Sequence, residues 1–228
     1  MRSTVPPGCL PLVIFFGLAL LLPFFFANLM LEALGKLGLS PRTSFLAALG
    51  IFLGGMVNIP VKQIEREERI ELTPFALFGV GSLFPRFQRQ RTSTIIAVNV
   101  GGCIVPTALA VYELSRVAGV GPNALMAAAV ATAINIVVCY RLARPVPRVG
   151  IALPALMPAL VAAACALLFV PDMAPSIAFA AGVFGPLVGA DLLHLRDIEN
   201  ISAGVASIGG AGTFDGIVLS ALVATLLA

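Results

Sequence analysis

Two aspartates carry the chemistry available to this sequence. Asp215 is the only ionisable side chain after Glu199, and apolar sequence follows it to Ala228. Asp191 lies near the end of another apolar run, Ala174–Leu193. A charged aspartate alone at mid-bilayer costs at least ~2.5 kcal/mol, so it is expected to be protonated, paired or hydrated, and to be functional. Two carboxyls a few ångströms apart cannot both ionise, so one serves as base for a water and the other as acid. Standing alone, Asp215 suits a proton or cation site instead. His194, the sole histidine, follows Asp191 by three residues. Asp191-x-x-His194 has the spacing of a metal-ligand pair, with Asp197 or Asp215 as a third donor. The preferred reading is a hydrogen-bonded histidine at the membrane interface. No H-E-x-x-H, Ser/His/Asp order or phosphate-binding glycine loop stands out, and no cofactor or metal is expected.

Other polar or irregular residues are expected to support this site. Asn58 closes an apolar run, and Asn99 opens another within Asn99-Val100-Gly101-Gly102. Thr132 and Asn135 sit one turn apart, Pro154 and Pro158 interrupt a fifth run, and Ser207, Gly209, Gly210, Gly212 and Thr213 precede Asp215. Among the other acids, Glu32, Glu113, Asp172, Asp197 and Glu199 fall at run ends or in loops and are expected to be solvated.

These residues must be positioned by membrane helices. Of 228 residues, 59% are apolar and 11% charged, against about a quarter charged in soluble domains. Mean hydropathy is +1.04. Such values exclude a soluble globule, a disordered chain and a nucleic-acid binder. The four cysteines show no C-x-x-C pairing and read as small buried hydrophobes. The fold expected is an all-α membrane protein, residues 1–228 forming a single polytopic domain of about seven transmembrane helices. The spans run roughly Leu10–Leu34, Thr43–Ile59, Thr94–Leu114, Pro122–Tyr140, Val149–Val170, Ala174–Leu193 and Ser202–Leu227. With the N-terminus inside and the C-terminus outside, eleven Lys and Arg fall on the cytoplasmic side and three outside, the asymmetry the positive-inside rule requires. That orientation puts the polar features of six spans in one half of the bilayer. It implies a polar cavity open to, or near, the cytoplasm.

Residues 62–92 form the long cytoplasmic connection, opening on the charge run Glu65–Arg69. Pro74, Gly79, Gly81 and Pro85 among Phe75, Phe78, Phe84 and Phe87 argue against helix, so a short hairpin or loop is expected, as a connector or as a lid. Two spans are expected to be broken, at 150–158 by Pro154 and Pro158, and at 204–216 by four glycines in nine residues. The second break decides the site. With straight helices turning near Ile198, the depths of Asp191 and Asp215 would differ by roughly 15 Å. An unwound glycine run, with Thr213 capping a shorter helix, would let the carboxyls meet. Gly185-x-x-x-Gly189 is read as small-residue helix packing.

The sequence resembles a known family over nearly its whole length. Val57-Asn58-Ile59-Pro60, Ala97-Val98-Asn99-Val100-Gly101-Gly102, Ala143-Arg144-Pro145-Val146-Pro147, Gly189-Ala190-Asp191-Leu192-Leu193 and Gly209–Gly216 resemble the bacterial and archaeal membrane proteins grouped as domain of unknown function 1614. The resemblance implies a shared fold and brings no activity. A partial similarity is to presenilin-like intramembrane aspartyl proteases, which set a Pro-Ala-Leu motif beside two aspartates. Pro154-Ala155-Leu156 and Pro158-Ala159-Leu160 match the tripeptide. Here it precedes both acids instead of following them, and neither acid stands in Gly-x-Gly-Asp.

Three functions compete. An aspartyl-protease-like hydrolase with an Asp191/Asp215 dyad uses both acids and the cytoplasmic bias, and is preferred. A proton- or cation-coupled transporter or channel would centre on Asp215. A binding or assembly subunit would need neither acid for turnover. The partners expected are the lipid bilayer and either a transmembrane-segment substrate or a small ion; no nucleic acid is expected.

Overall fold

The computed structural model describes residues 9–71, 87–146, 150–154, 156–200 and 205–228. The aromatic and turn residues expected between 72 and 86, together with Pro147, Ala155, Ser202 and Gly204, lie outside the described residues. The chain is an all-α membrane fold with a small sheet attached to it. Helix α1 spans Cys9–Lys36 and α2 spans Pro41–Gly54. Ser40 opens α2 as a side-chain cap, accepting from the Thr43 N–H at 3.3 Å, with Pro41 in the first turn.

Strands β1 (Asn58–Glu71) and β2 (Phe87–Asn99) then form an antiparallel hairpin in register from Asn58↔Asn99 to Glu71↔Phe87. A bulge between Pro60 and Lys62 accommodates a proline that has no N–H to give the ladder. At ~3.3 Å per residue the arms reach roughly 40 Å, far beyond the short hairpin expected. The hairpin also takes residues assigned to neighbouring spans. Helix α2 stops at Gly54, and Thr94–Asn99 is strand, not the opening of the third span. The run Thr92-Ser93-Thr94-Ile95-Ile96-Ala97-Val98 is rich in β-branched residues, which pack well on a pleated surface.

After a π-helical turn at Val100–Ile104 come α3 (Val105–Val120) and α4 (Pro122–Leu142). Short strands β3 (Arg144–Val146) and β4 (Gly150–Ala152) pair antiparallel before α5 (Leu156–Phe169). Helix α6 (Ala174–Phe184) runs into a second π-helical stretch, Gly185–Leu192, and α7 (Leu195–Asn200) follows. Strand β5 (Val205–Ile208) lies parallel to β2, giving the sheet order β1-β2-β5. Helix α8 (Gly216–Leu227) ends the fold. The break expected over 204–216 is present, as β5 and a glycine turn before Gly216; the one expected over 150–158 holds only in its first part, where β4 occupies 150–152, because Pro158 sits in the first turn of α5, where a proline is tolerated.

Among the described residues, four helices are long and apolar enough to cross a membrane: Ile14–Lys36, Val100–Val120, Pro122–Leu142 and Pro171–Asp197. Helices α2, α5 and α8 hold 14, 14 and 12 residues. At ~1.5 Å per residue they cover only about two-thirds of a ~30 Å hydrocarbon core.

Helix α6 is the centre of the bundle. Ala174 and every residue from Ser176 to Val183 are buried, as expected of a helix packed on all sides. Small residues set its contacts. A Cβ at Gly182 would stand 2.8 Å from Ala221 Cα of α8. An alanine-rich core (Ala124, Ala128, Ala131, Ala159, Ala162, Ala178) joins α4, α5 and α6.

Glu113, expected to be solvated, is fully buried on α3. Its carboxylate accepts from Arg116 at 2.9 Å and from Ser176 Oγ at 2.7 Å, while Arg116 also donates to the Leu37 carbonyl. The Glu113–Arg116 pair thus joins α3, α6 and the residue that follows α1. Glu113→Gln should lower stability in detergent by about 1–2 kcal/mol, because it removes the charge from two charge-assisted bonds. An exposed glutamate would change stability by less than about 0.5 kcal/mol. An unfolding midpoint unchanged by this substitution would refute the clamp.

Candidate functional site

The site begins at a three-way crossing of glycines. Gly54 and Gly55 end α2, Gly101 and Gly102 lie in the first π-helical turn, and Gly209 and Gly212 belong to the turn after β5. A Cβ at Gly101 would stand 2.0 Å from Ile51 O and 2.3 Å from Gly55 N. A Cβ at Gly102 would stand 2.0 Å from Gly209 O. Gly209 and Gly212 hold φ of 72° and 59°, a region that L side chains rarely adopt. The glycine run is therefore both unwound and closely packed. Gly102→Ala should destabilise the protein by about 1–3 kcal/mol, since two backbones must separate. Thermal unfolding in detergent measures this, and an unshifted midpoint would refute the crossing.

Asn99 locks the crossing. It is fully buried and caps the π-helical turn by accepting from Gly102 N–H at 2.7 Å. Its amide donates to Gly55 O at 2.8 Å and to Asn58 Oδ1 at 3.1 Å. Asn58 Oδ1 also accepts from Ser207 Oγ at 2.5 Å. The two asparagines are register partners at the base of the hairpin, so one polar cluster ties β1, β2 and β5 to the glycine turn.

The break places Asp215. Asp215 caps α8, in place of the expected Thr213. Its Oδ1 accepts from Ile217 N–H at 3.0 Å, and its Oδ2 accepts from Ala211 N–H at 3.4 Å. The carboxylate therefore closes the helix end and the turn before it. Thr213 and Phe214 line a separate apolar groove of about 370 Å³ between α1 and α2, where Phe26 meets Phe214 edge-on at 5.0 Å.

Asp191 comes from the second π-helical stretch. Pro186 has no N–H for an α-helical bond to Gly182 O, and the register widens here, with Leu193 N–H bonded to Val188 O five residues back. Gly185 and Gly189 press this stretch onto α4. A Cβ on them would meet Asn135 Nδ2 at 2.4 Å and Ile136 O at 2.3 Å. The Gly-x-x-x-Gly reading as a packing motif therefore stands. Asn135 is fully buried and donates to Ala181 O at 2.8 Å. It supports the helix that carries Asp191 and faces α6.

Asp191 and Asp215 line one cavity of about 360 Å³. Gly150 and Ile151 of β4 and the whole run from Val205 to Ala211 complete its walls. Each aspartate is partly buried. Of the residues expected at the site, Ser207, Gly209 and Gly210 line the cavity with the two acids. Asn58, Asn99 and Gly212 hold its walls from behind. Pro158 is buried in the first turn of α5, and Pro154 is exposed ahead of it. His194 turns away from any ligand set. Its Nδ1 donates to Gly189 O and Ala190 O at 3.1 and 3.0 Å, and its ring lies on Tyr140 at 4.9 Å. Thr132 lines a different, apolar pocket on α4.

Sequence reasoning missed the contributions of Gly150 and Ile151 and the crossing partners Gly54 and Gly55. The signal available for the latter was the doubled glycine just ahead of Asn58. No curated protein and no solved structure gives a significant match to this chain. Residues 52–227 match the family model described as "Protein of unknown function (DUF1614)", which takes in the hairpin, both acids and the glycine crossing, and the chain belongs to that family.

Proposed function

We propose that this protein is an intramembrane aspartyl hydrolase that cuts a membrane-embedded polypeptide with Asp191 and Asp215. The observation that supports it most is that two acids, from a π-helical stretch and a helix cap 24 residues apart, line one partly open cavity. Two carboxyls sharing a site hold one proton between them in the working state. Backbone N–H donors on both oxygens of Asp215 favour its ionised form, so Asp215 is the base and Asp191 the acid. Asp215 takes a proton from water as the oxygen adds to the scissile carbonyl, and Asp191 gives its proton to the carbonyl oxygen. The tetrahedral diol then collapses. Asp191 recovers a proton from a hydroxyl, and Asp215 passes its proton to the departing amine. Bond and proton counts balance with water as the only co-reactant.

The loop charges support an orientation with the N-terminus inside, which puts the cavity near the cytoplasmic face of a prokaryotic inner membrane. A transmembrane segment would then be cut near its cytoplasmic end. The test is cleavage of a panel of membrane-spanning reporters by the full chain in proteoliposomes, beside an Asp191→Asn/Asp215→Asn double variant. Cleavage by the native chain alone supports the reading; no difference between the two overturns it. The unwound backbone beside Asp215 also suits a proton or cation carrier. Flux into the same liposomes that requires Asp215 and not Asp191 would establish that reading instead.

A further inference from the structure

Strand β5 stands at the edge of its sheet, paired on one side to β2 and, among the described residues, to no strand on the other. All four of its residues line the cavity that holds Asp191 and Asp215. Gly150 and Ile151 of β4, one strand of a two-stranded sheet, line the same cavity. The two acids thus line a slot bordered by two strands, each paired on one side only among the described residues. The strand β5 runs from Val205, 60% exposed, to Ile208, 6% exposed, so the slot leads from a rim inward. Ala206, Ser207, Gly209, Gly210 and Gly150 keep the walls small.

Open edges offer rows of N–H and C=O groups that seek a partner strand. In a membrane-embedded cavity these groups must be satisfied by water or by another backbone. A helix cannot satisfy them, because its backbone groups are bonded internally. We infer that the slot binds polypeptide main chain in extended form, added to the free edge of β5 as a further strand of the β1-β2-β5 sheet. This rests on the hydrolase reading and gives it a substrate form: a stretch of unwound chain, recognised through its backbone before its side chains. A transmembrane helix must therefore open over several residues to reach the acids. Segments weakened by glycine, proline or β-branched residues are the preferred class.

The test uses the full chain in nanodiscs and two synthetic apolar octapeptides, one all-amide and one with a hydroxyethylene isostere replacing a single peptide bond. Each peptide is also N-methylated at one position at a time. N-methylation at alternate positions should weaken binding about tenfold or more, with the positions between changed by less than about twofold, because strand pairing alternates. Amide exchange at residues 205–208 should slow on binding. Uniform tolerance of N-methylation, unchanged exchange in β5, or no binding by either peptide overturns the inference. If the isostere binds no tighter than its all-amide parent while both show the alternating pattern, strand docking holds and the aspartyl dyad fails.

Discussion

Asp215→Asn should reduce cleavage by at least about a thousandfold, ~4 kcal/mol in barrier height, and leave the fold intact. On the proposed mechanism the side chain has two separable jobs. As a cap it accepts from Ile217 and Ala211 N–H groups, and asparagine caps a helix nearly as well as aspartate. As a base it must carry negative charge, which asparagine cannot. Asp215→Ala should lose the cap as well, lowering stability by about 1 kcal/mol on top of the same loss of activity. Asp191→Asn should match the activity loss of Asp215→Asn, and the double variant should be no worse than either alone. Acid and base act as a unit, so removing one already removes the dyad. Single-turnover cleavage and detergent unfolding, run on all four variants, check each part. Native cleavage in either single variant would end the dyad mechanism. Additive losses in the double variant would mean that the acids act independently.

The membrane class and the two breaks were legible because they rest on strong local signals. Twenty apolar residues are enough to span a bilayer, and a glycine cluster or a proline weakens a helix locally; Pro158 is the exception, because a first-turn N–H needs no helical partner. Asp215 was legible for the same reason, as a lone ionisable group in an apolar run. The strand at Thr94–Asn99 was not, because a continuous apolar run looks alike as buried strand or membrane helix, and only its β-branched content separates them. Glu113 was misread because a position near a helix end suggests water, while its actual environment depends on Ser176, 63 residues away, and on Arg116, itself held by the Leu37 carbonyl. Gly150 and Ile151 were invisible as cavity walls because β4 reaches the acids only through tertiary packing. Local chemistry marks where the chain departs from helix; which departures meet is set by contacts far apart in sequence. The glycine crossing shows this most clearly, since no single glycine there signals its partner.

Asn99→Leu should be the most damaging change outside the two acids, lowering stability by about 3–5 kcal/mol. Leucine has nearly the same shape and cannot accept from Gly102 N–H or donate to Gly55 O and Asn58 Oδ1. Asn99 is fully buried, so water does not replace the lost partners, and each stranded group costs about 1–3 kcal/mol. The damage should also travel. Freed from Asn99, Asn58 no longer holds Ser207 in place, and the π-helical turn loses the bond that seats Gly102 against Gly209. Strand β5 and the cavity wall loosen together, so amide exchange at residues 205–208 should speed up even where the helices stay protected. Asn99→Asp keeps the acceptor for Gly102 N–H and loses both donated bonds, so it should fall between native and Asn99→Leu in stability. Equal unfolding midpoints for Asn99→Leu and the native chain would mean that the crossing holds by glycine packing alone. A loss confined to β5 exchange, with no global destabilisation, would place Asn99 in the site's wall and outside the fold's foundation.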